Sequence, residues 1–571
     1  MKIHRYAERG DQAGVQQELM QGVSINEIDT QADSFTPQTP LQCAIASPHA
    51  GVNLVEFLIA QGAMLSLTPQ QGKSDFMWAV HSGSIEKVQL LLDLGADIGE
   101  VDEDGYDALT NAMFSQAQAE RMALVKFLID KGAQLNGQSS YGESALSVAS
   151  RCGWFDIVQM LLEAGGDCLR LGWTDLMQAV ALGTLSDVKA QLEKGADLTT
   201  VDQWERTPWL LSLQVGEVSK AQRLLEAGSD PLAVGRCGKL PMMYALESGN
   251  LAMLKWLIEL GLDINGTDEF GETALMLAAE LDQVEAASLL LEAGVDVSQT
   301  TKYNGKAINK AHSLNMIERL VAVGEELADL DPSVRRLLTR VDAPDCWELE
   351  VKHYQAAKYP RFGNRNPEMM TAPFWREMVR FRGAAYAARA QYKDTSYRTE
   401  AAVWCFQRFG QTITILPDGR VIEIAGEHED YYDPDFYIYN DVVVYDGHGD
   451  FQIYGYPRTI FPPTDFHTAT WFDGWIYIIG NLGYQDDRIV GDTPVYRLNC
   501  TTFTIENVET HGESPGWLSH HRAVLYNRQI RISGGKVWAT QQQDQPTLID
   551  NDAQYVLNLE QNYWHRVQSE L

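Results

Sequence analysis

The sequence predicts a multidomain α plus β protein: an α-solenoid of short helix pairs over residues 1–325, a helical basic bridge over 326–400, and antiparallel β blades over 401–571. Three observations carry this. A glycine recurs at 62, 95, 132, 165, 195, 228, 261 and 294, with spacings of 30 to 37 and mostly 33. Strand-like alternation begins near Ala401 and is punctuated by Gly426, Gly480 and Gly534, each 54 residues apart. Between them the charge inverts, with ten Lys and Arg against four Asp and Glu in residues 351–400.

The stretch Thr174–Leu198 states the helical unit. Periodicity places one short helix over Asp175–Ala181, burying Leu176, Met177, Ala179 and Val180, and a second over Ser186–Glu193, burying Val188 and Leu192. Gly183 turns the chain between them, and Gly195 follows the second helix, where a left-handed backbone suits glycine. Helices this short cannot bury their apolar faces alone, so each pair requires neighbours stacked on both sides. Thr39-Pro40 and Thr207-Pro208 open first helices with a capping hydroxyl and a residue that needs no donor. At Ser74-Asp75 and Thr174-Asp175 an acidic residue replaces proline and still suits a helix start through the dipole. Cys43 and Met77 fall on inward positions, and a thiol there reads as a small core residue.

A two-helix repeat near 33 residues, with TPLQCAI at Thr39, LLDLGADI at Leu91, RTPWLL at Arg206 and GETALMLAAELDQVEAASLLLEAGVDV at Gly271, resembles the ankyrin repeat. The resemblance covers about nine units, including weaker ends around Ala7–Gly22 and Lys306–Gly324, and an insertion at Ser115–Arg121 falls between the helices of its repeat. It implies projecting loops that line a concave, protein-binding groove. The loop residues Asp102, Asp104, Tyr106, Tyr141, Trp173, Trp204 and Phe270 combine acidic groups with rigid aromatic anchors. Turn chemistry accounts for the aspartates but not for Trp173 or Trp204.

In the bridge, Asp331-Pro332 starts a short helix that Asp342-Ala343-Pro344 ends. Pro373 starts another, with Phe374, Met378 and Tyr386 on related faces. Arg376, Arg380, Arg382 and Arg389 read as intramolecular partners for the acidic modules on either side. Beyond it, TITILPDGRVIEIAG, TATWFDGWIYIIGN and RAVLYNRQIRISGG alternate with period two, each followed by a second strand pair and an aromatic residue (Phe451, Phe503, Trp564). This pattern resembles kelch repeats, the blades of a β-propeller. About three blades are readable, too few for a closed propeller, so the exposed edge must be covered by the bridge, filled by a degenerate blade within 340–400, or closed by a second copy. The bridge is the favoured cover. The combination is similar to bacterial proteins that join ankyrin repeats to a kelch-like segment, and that resemblance implies no known activity.

Composition restricts function. The formal net charge is −33, with 18 basic against 42 acidic residues in 1–300 and 10 against 23 in 401–571. A polyanion would be repelled, which points away from nucleic acid and toward a protein partner with a basic face. No apolar run is long enough to cross a bilayer, no secretory leader opens the chain, and seven scattered cysteines without a CxxC pair suit a reducing compartment. The expected location is cytoplasmic. Solubilisation of a long array is a sufficient reason for the acidity by itself.

For chemistry, the loops around the blade glycines gather Glu427, His428, Glu429, Asp430, Asp433 and Asp435 with Asp465, Arg488, Trp517, His520 and Arg522. Of these, His428, Glu429, Asp465, Arg488, Trp517, His520 and Arg522 make a candidate blade-face pocket for acid–base work. His467 and His521 each stand thirteen residues before their blade's glycine, a repeat-fixed position that points to structure. No HExxH, GxSxG, GxGxxG or P-loop is present, so no catalytic residue, metal or cofactor is assigned. The expectation is a non-catalytic protein–protein interaction scaffold. A small-molecule enzyme at the blade face and a bacterial toxin-neutralising or host-directed interaction protein are the alternatives.

Overall fold

The computed structural model describes residues 2–29, 37, 39–66, 73–323, 325, 327, 330, 332–342, 347, 349–395, 402–430, 433–540 and 545–567. The chain forms two compact units, Met1–Asn304 and Gly305–Leu571.

Among the described residues the first unit is a row of nine helix pairs, from Lys2–Glu8 with Gln12–Met20 to Ala274–Glu280 with Val284–Glu292. The pair at the heart of the pattern runs Asp175–Leu182 and Leu185–Glu193. Leu176, Met177, Ala179, Val180 and Val188 are buried, while Leu192 is only half-buried. Thr174 and Thr184 cap the two helices through their hydroxyls, and Gly195 adopts φ +77° after the second. An added Cβ at Gly195 would meet nothing within 4 Å, so backbone conformation alone selects glycine there. The insertion lies where expected, between Ala108–Met113 and Arg121–Asp130. Inner faces of successive pairs merge into one apolar cluster that runs from Ile3 to Leu171.

Polar side chains also tie neighbours together. Lys87 is buried and its ammonium donates to the carbonyls of Ala44, Ile45 and Ser47, the open C-terminal end of the helix Pro40–Ala46. Burial pushes its amine down to about 8. Lys220 does the same for Val180, closing the helix Asp175–Leu182. Asp75 does more than favour a helix dipole. It is fully buried and accepts from the Ser66 N–H at 2.7 Å and from Gln42 Nε2 at 3.2 Å, fixing the preceding loop. Burial raises its carboxyl to about 6. Met77 is buried as expected, but Cys43 is only half-buried at the margin of the core, and burial pushes its thiol up to about 12.

The second unit opens with a single turn, Ala307–Lys310, and a helix, Leu314–Ala322, followed by helices Pro332–Thr339, Val351–Ala357, Pro373–Phe381 and Ala385–Gln391. Arg382 takes a left-handed conformation (φ +53°) and ends the helix that Pro373 starts. Phe374 and Met378 therefore share a buried face, whereas Tyr386 lies on the next helix and is exposed, contrary to the expected continuous face.

Three main sheets follow, with one strand of the first supplied from the bridge. Their orders are Glu368–Met370, Phe451–Gly455, Val442–Tyr445, Val421–Ile424, Thr412–Ile415; then Ile505–Asn507, Val495–Asn499, Trp475–Ile479, Thr468–Phe472; then His511–Gly512, Tyr563–Arg566, Tyr555–Asn558, Gln529–Ser533, Arg522–Tyr526. All pairings within them are antiparallel except His511–Gly512 with Tyr563–Trp564. Glu368–Met370 covers the free edge of Phe451–Gly455, so a bridge segment meets the edge hazard of the first sheet. A smaller three-stranded sheet and the hairpin Glu427–Asp430 with Asp433–Ile438 complete the strands among the described residues.

The middle sheet is sandwiched. Ile476 and Ile478 enter the core shared with Ile422, Ile424 and Val442, while Tyr477 and Ile479 enter the core shared with Ile530, Ile532 and Leu557. Burial on both faces is why WIYII reads as a continuous apolar run rather than a strict alternation. Edge strands of consecutive sheets are joined by repeat-related bonds: His467 Nε2 lies 2.8 Å from Thr412 Oγ1, and His521 Nε2 lies 2.9 Å from Thr468 Oγ1. Both imidazoles are buried and held down to about 3 by desolvation.

Candidate functional site

The loop edge of the first unit is built by a repeated turn. Asp102, Asp202 and Asp268 each use Oδ1 to accept from the backbone N–H groups two and four residues onward. Consecutive loops are then linked by single main-chain bonds: Ser140 N–H to the Asp104 carbonyl, Gln203 to Leu171, Glu269 to Cys237 and Lys302 to Phe270. These bonds tie neighbouring loops in pairs along a rim whose side chains are set by rigid turns.

On that rim the structure brings together two groups of the expected residues. Tyr141 is 71% exposed and its hydroxyl donates to Asp104 at 3.4 Å, while its ring lies 6.4 Å from that of Tyr106. Tyr106 donates to Glu143 at 2.7 Å and packs edge-on against Phe114. Burial, then Glu143, pushes its phenol up to about 12. The second group converges on Asp202. Trp173 Nε1 donates to Asp202 Oδ2 at 3.3 Å, and the Trp204 main-chain N–H donates to Oδ1. Trp204 is half-buried, with its indole N–H on the Ser147 carbonyl at 2.9 Å and its ring faced by the guanidinium groups of Arg151 and Arg236. Phe270, 48% exposed, stands on a separate loop.

Beneath the second group lies an ion pair that sequence reasoning passed over. Asp202 and Arg206 are both buried, 2.6 Å apart, and Arg206 also donates to the Ser150 carbonyl and hydroxyl and to Gln214. The available signal was the repeated turn aspartate with arginine four residues on.

On the sheets, most of the candidate pocket residues hold loops. Asp465 is fully buried and accepts from Gly483 N–H at 2.6 Å. Arg488 donates to the carbonyls of Leu482 and Gly483, and the buried Trp517 donates its indole N–H to Leu482. These three therefore meet on one turn. His428 is buried and lies 2.8 Å from the Gln407 carbonyl, Glu429 is exposed, and His520 stacks on Phe466 at 4.0 Å. Arg522 is exposed on an edge strand of the third sheet. The side chains of Asp430, Asp433 and Asp435 lie outside the described residues. Burial first, then the charge of Asp465, pushes Glu427 up to about 7. Burial raises Asp465 as well. Among the described residues no three His, Cys, Asp or Glu side chains are grouped to hold a metal, and no helix is long and apolar enough to cross a membrane.

Comparison with known proteins meets this geometry. A family model described as ankyrin repeats (3 copies) matches residues 3–102, 76–171, 176–268 and 209–301. The chain is 30% identical over 179 residues to the putative ankyrin repeat protein YahD of Escherichia coli K12, covering 30% of this chain and 87% of that protein. It is 32% identical over 128 residues to the mouse B-cell lymphoma 3 protein homolog, covering 22% of this chain and 28% of that protein. It is also 32% identical over 85 residues to putative ankyrin repeat protein R664 of Acanthamoeba polyphaga mimivirus, covering 15% and 52% respectively. The chain thus spans most of YahD but only about a quarter of the mouse protein.

Proposed function

Because the chain belongs to the ankyrin-repeat proteins, we propose that its first unit is a non-catalytic scaffold that holds a protein partner along the loop rim. One observation carries this reading: an exposed Tyr141, fixed beside Asp104 and Tyr106, makes a rigid aromatic and acidic anchor on a rim built from rigid turns. With 18 basic against 42 acidic residues in 1–300, the partner face that complements it is basic. Phe270, Trp173 and Trp204 extend the same surface.

The second unit reads as kelch-like blades, about three, with the bridge strand at one edge; it offers a second binding surface, and the edge strand Arg522–Tyr526 offers self-association. In this reading the functional parts divide at residues 325 and 400, and scattered cysteines favour a cytoplasmic setting. The test is affinity capture from native lysate with the full chain and with Asp104→Arg/Tyr141→Ala. The proposal expects a partner released by salt and depleted by the variant. Equal recovery by both proteins refutes the rim assignment.

A further inference from the structure

The second unit holds a cavity of about 410 Å³ whose wall is dominated by arginine: Arg335, Arg336, Arg380, Arg382 and Arg408. In a chain of net charge −33 this concentration calls for a physical reason. Two carboxylates answer part of it. Glu423, fully buried, lies 2.7 Å from Arg382 and 3.2 Å from Arg335, and accepts the Tyr445 hydroxyl at 2.9 Å. Asp441 is gripped by Arg408, which also donates to the carbonyls of Cys405 and Ala425. Among the described residues these five guanidinium groups pair with two carboxylates, a formal surplus of three, with Asp450 also within the field of Arg380.

The surplus is placed, not scattered. Arg336 and Arg380 are exposed at the cavity wall and form no ion pair among the described residues. Arg335 is 7% exposed and Arg382 half-buried, each with one nitrogen on Glu423, so further N–H groups of the planar fork remain. The exposed Arg336 and Arg380 thus add positive charge beside the buried, ion-paired Arg335 and Arg408, and an anion at this wall would be attracted by all four. Leu330, Val379, Phe381 and Phe409 supply an apolar side to the same cavity.

We propose that this cavity binds a phosphate monoester of a small organic molecule, with Arg336 and Arg380 on the phosphate and the apolar wall on the organic group. A phosphate dianion, with two negative charges on three terminal oxygens, suits fork-shaped donors such as Arg336 and Arg380 better than one carboxylate does. The volume lies within the roughly 300–1,000 Å³ of small-molecule pockets, so a bare phosphate ion leaves the apolar side unfilled.

Isothermal titration calorimetry on the full chain at low salt tests this with three probes: phenyl phosphate, inorganic phosphate and benzoate. Phenyl phosphate is expected to bind saturably, with inorganic phosphate and benzoate each about tenfold weaker. Arg336→Glu/Arg380→Glu is expected to weaken phenyl phosphate at least about tenfold at an unchanged Tm, because neither side chain supports the fold. If that variant unfolds, Arg336→Gln/Arg380→Gln replaces it with the same expectation. Absence of saturable binding at millimolar phenyl phosphate, equal binding of benzoate, or undiminished binding by a folded variant overturns the assignment.

Discussion

Asp202→Ala is the sharpest test of how the array holds its rim. Asp202 is buried and supports two main-chain N–H groups, the Trp173 indole and the Arg206 guanidinium. Arg206 in turn reaches Ser150 two helix pairs earlier and Gln214 in its own. Truncating the acid leaves a guanidinium in a site where its side chain is 1% exposed, which costs about 3–5 kcal/mol. At the roughly 2 °C per kcal/mol expected for a unit of this size, that is a fall in Tm of about 6–10 °C. Circular dichroism at 222 nm follows it, since helices of the first unit dominate that signal. Arg206→Met should lower Tm less, because Asp202 keeps three N–H donors. The double variant should fall short of the sum by about 2–3 kcal/mol, the signature of a coupled pair. A shift under about 2 °C for Asp202→Ala, or strict additivity, refutes the claim that this pair locks three consecutive pairs together.

Two further predictions concern the sheets. His467 and His521 are buried neutral with values lowered to about 3, so only the unfolded chain takes up their protons as pH falls below 6.5. Their contribution is intact above pH 6.5 and lost toward pH 3, about 2 kcal/mol each by pH 5; denaturant titrations of His467→Gln/His521→Gln should show a flatter pH dependence than the parent, and parallel slopes refute it. Gly480 has φ +79°, and a Cβ there would press into the Leu518 carbonyl oxygen, whereas Gly534, φ +65°, has open space. Gly480→Ala should therefore cost at least about 2 kcal/mol and Gly534→Ala about 1 kcal/mol, and equal losses in thermal melts would show that the close approach is unimportant.

The helix pairs were legible because a 33-residue period, capping Thr-Pro pairs and a left-handed glycine are all local signals, each decided within one repeat. The strands were legible for the same reason, through period-two alternation and glycines 54 residues apart. What stayed hidden depends on partners far along the chain. Asp75 looks like a helix-start residue, yet its carboxyl serves a loop nine residues earlier and a glutamine in the preceding repeat. The basic bridge was visible as charge, and Arg376–Asp450 and Arg382–Glu423 are intramolecular pairs of the expected kind. That the remaining arginines surround a cavity depends on where the helices Pro332–Thr339 and Pro373–Phe381 end, which composition does not report. Tyr386 was misplaced because left-handed Arg382, followed by Gly383, ends the first helix at Phe381 and Tyr386 falls on the next one.

The same distinction narrows the rim. An aromatic residue in a repeat loop has two outlets: it can staple its own array or wait for a partner. Trp204 takes the first, since its N–H closes on Ser147 and two arginines cover its ring. Trp173 is halfway, half-buried and bonded to Asp202. Tyr141, 71% exposed with only a long bond to Asp104, gains most from a new neighbour, because its ring has the largest area still in contact with water among these rim aromatics. Truncating Trp204 should therefore act on stability first and on binding only through it, whereas truncating Tyr141 should act on binding at constant Tm.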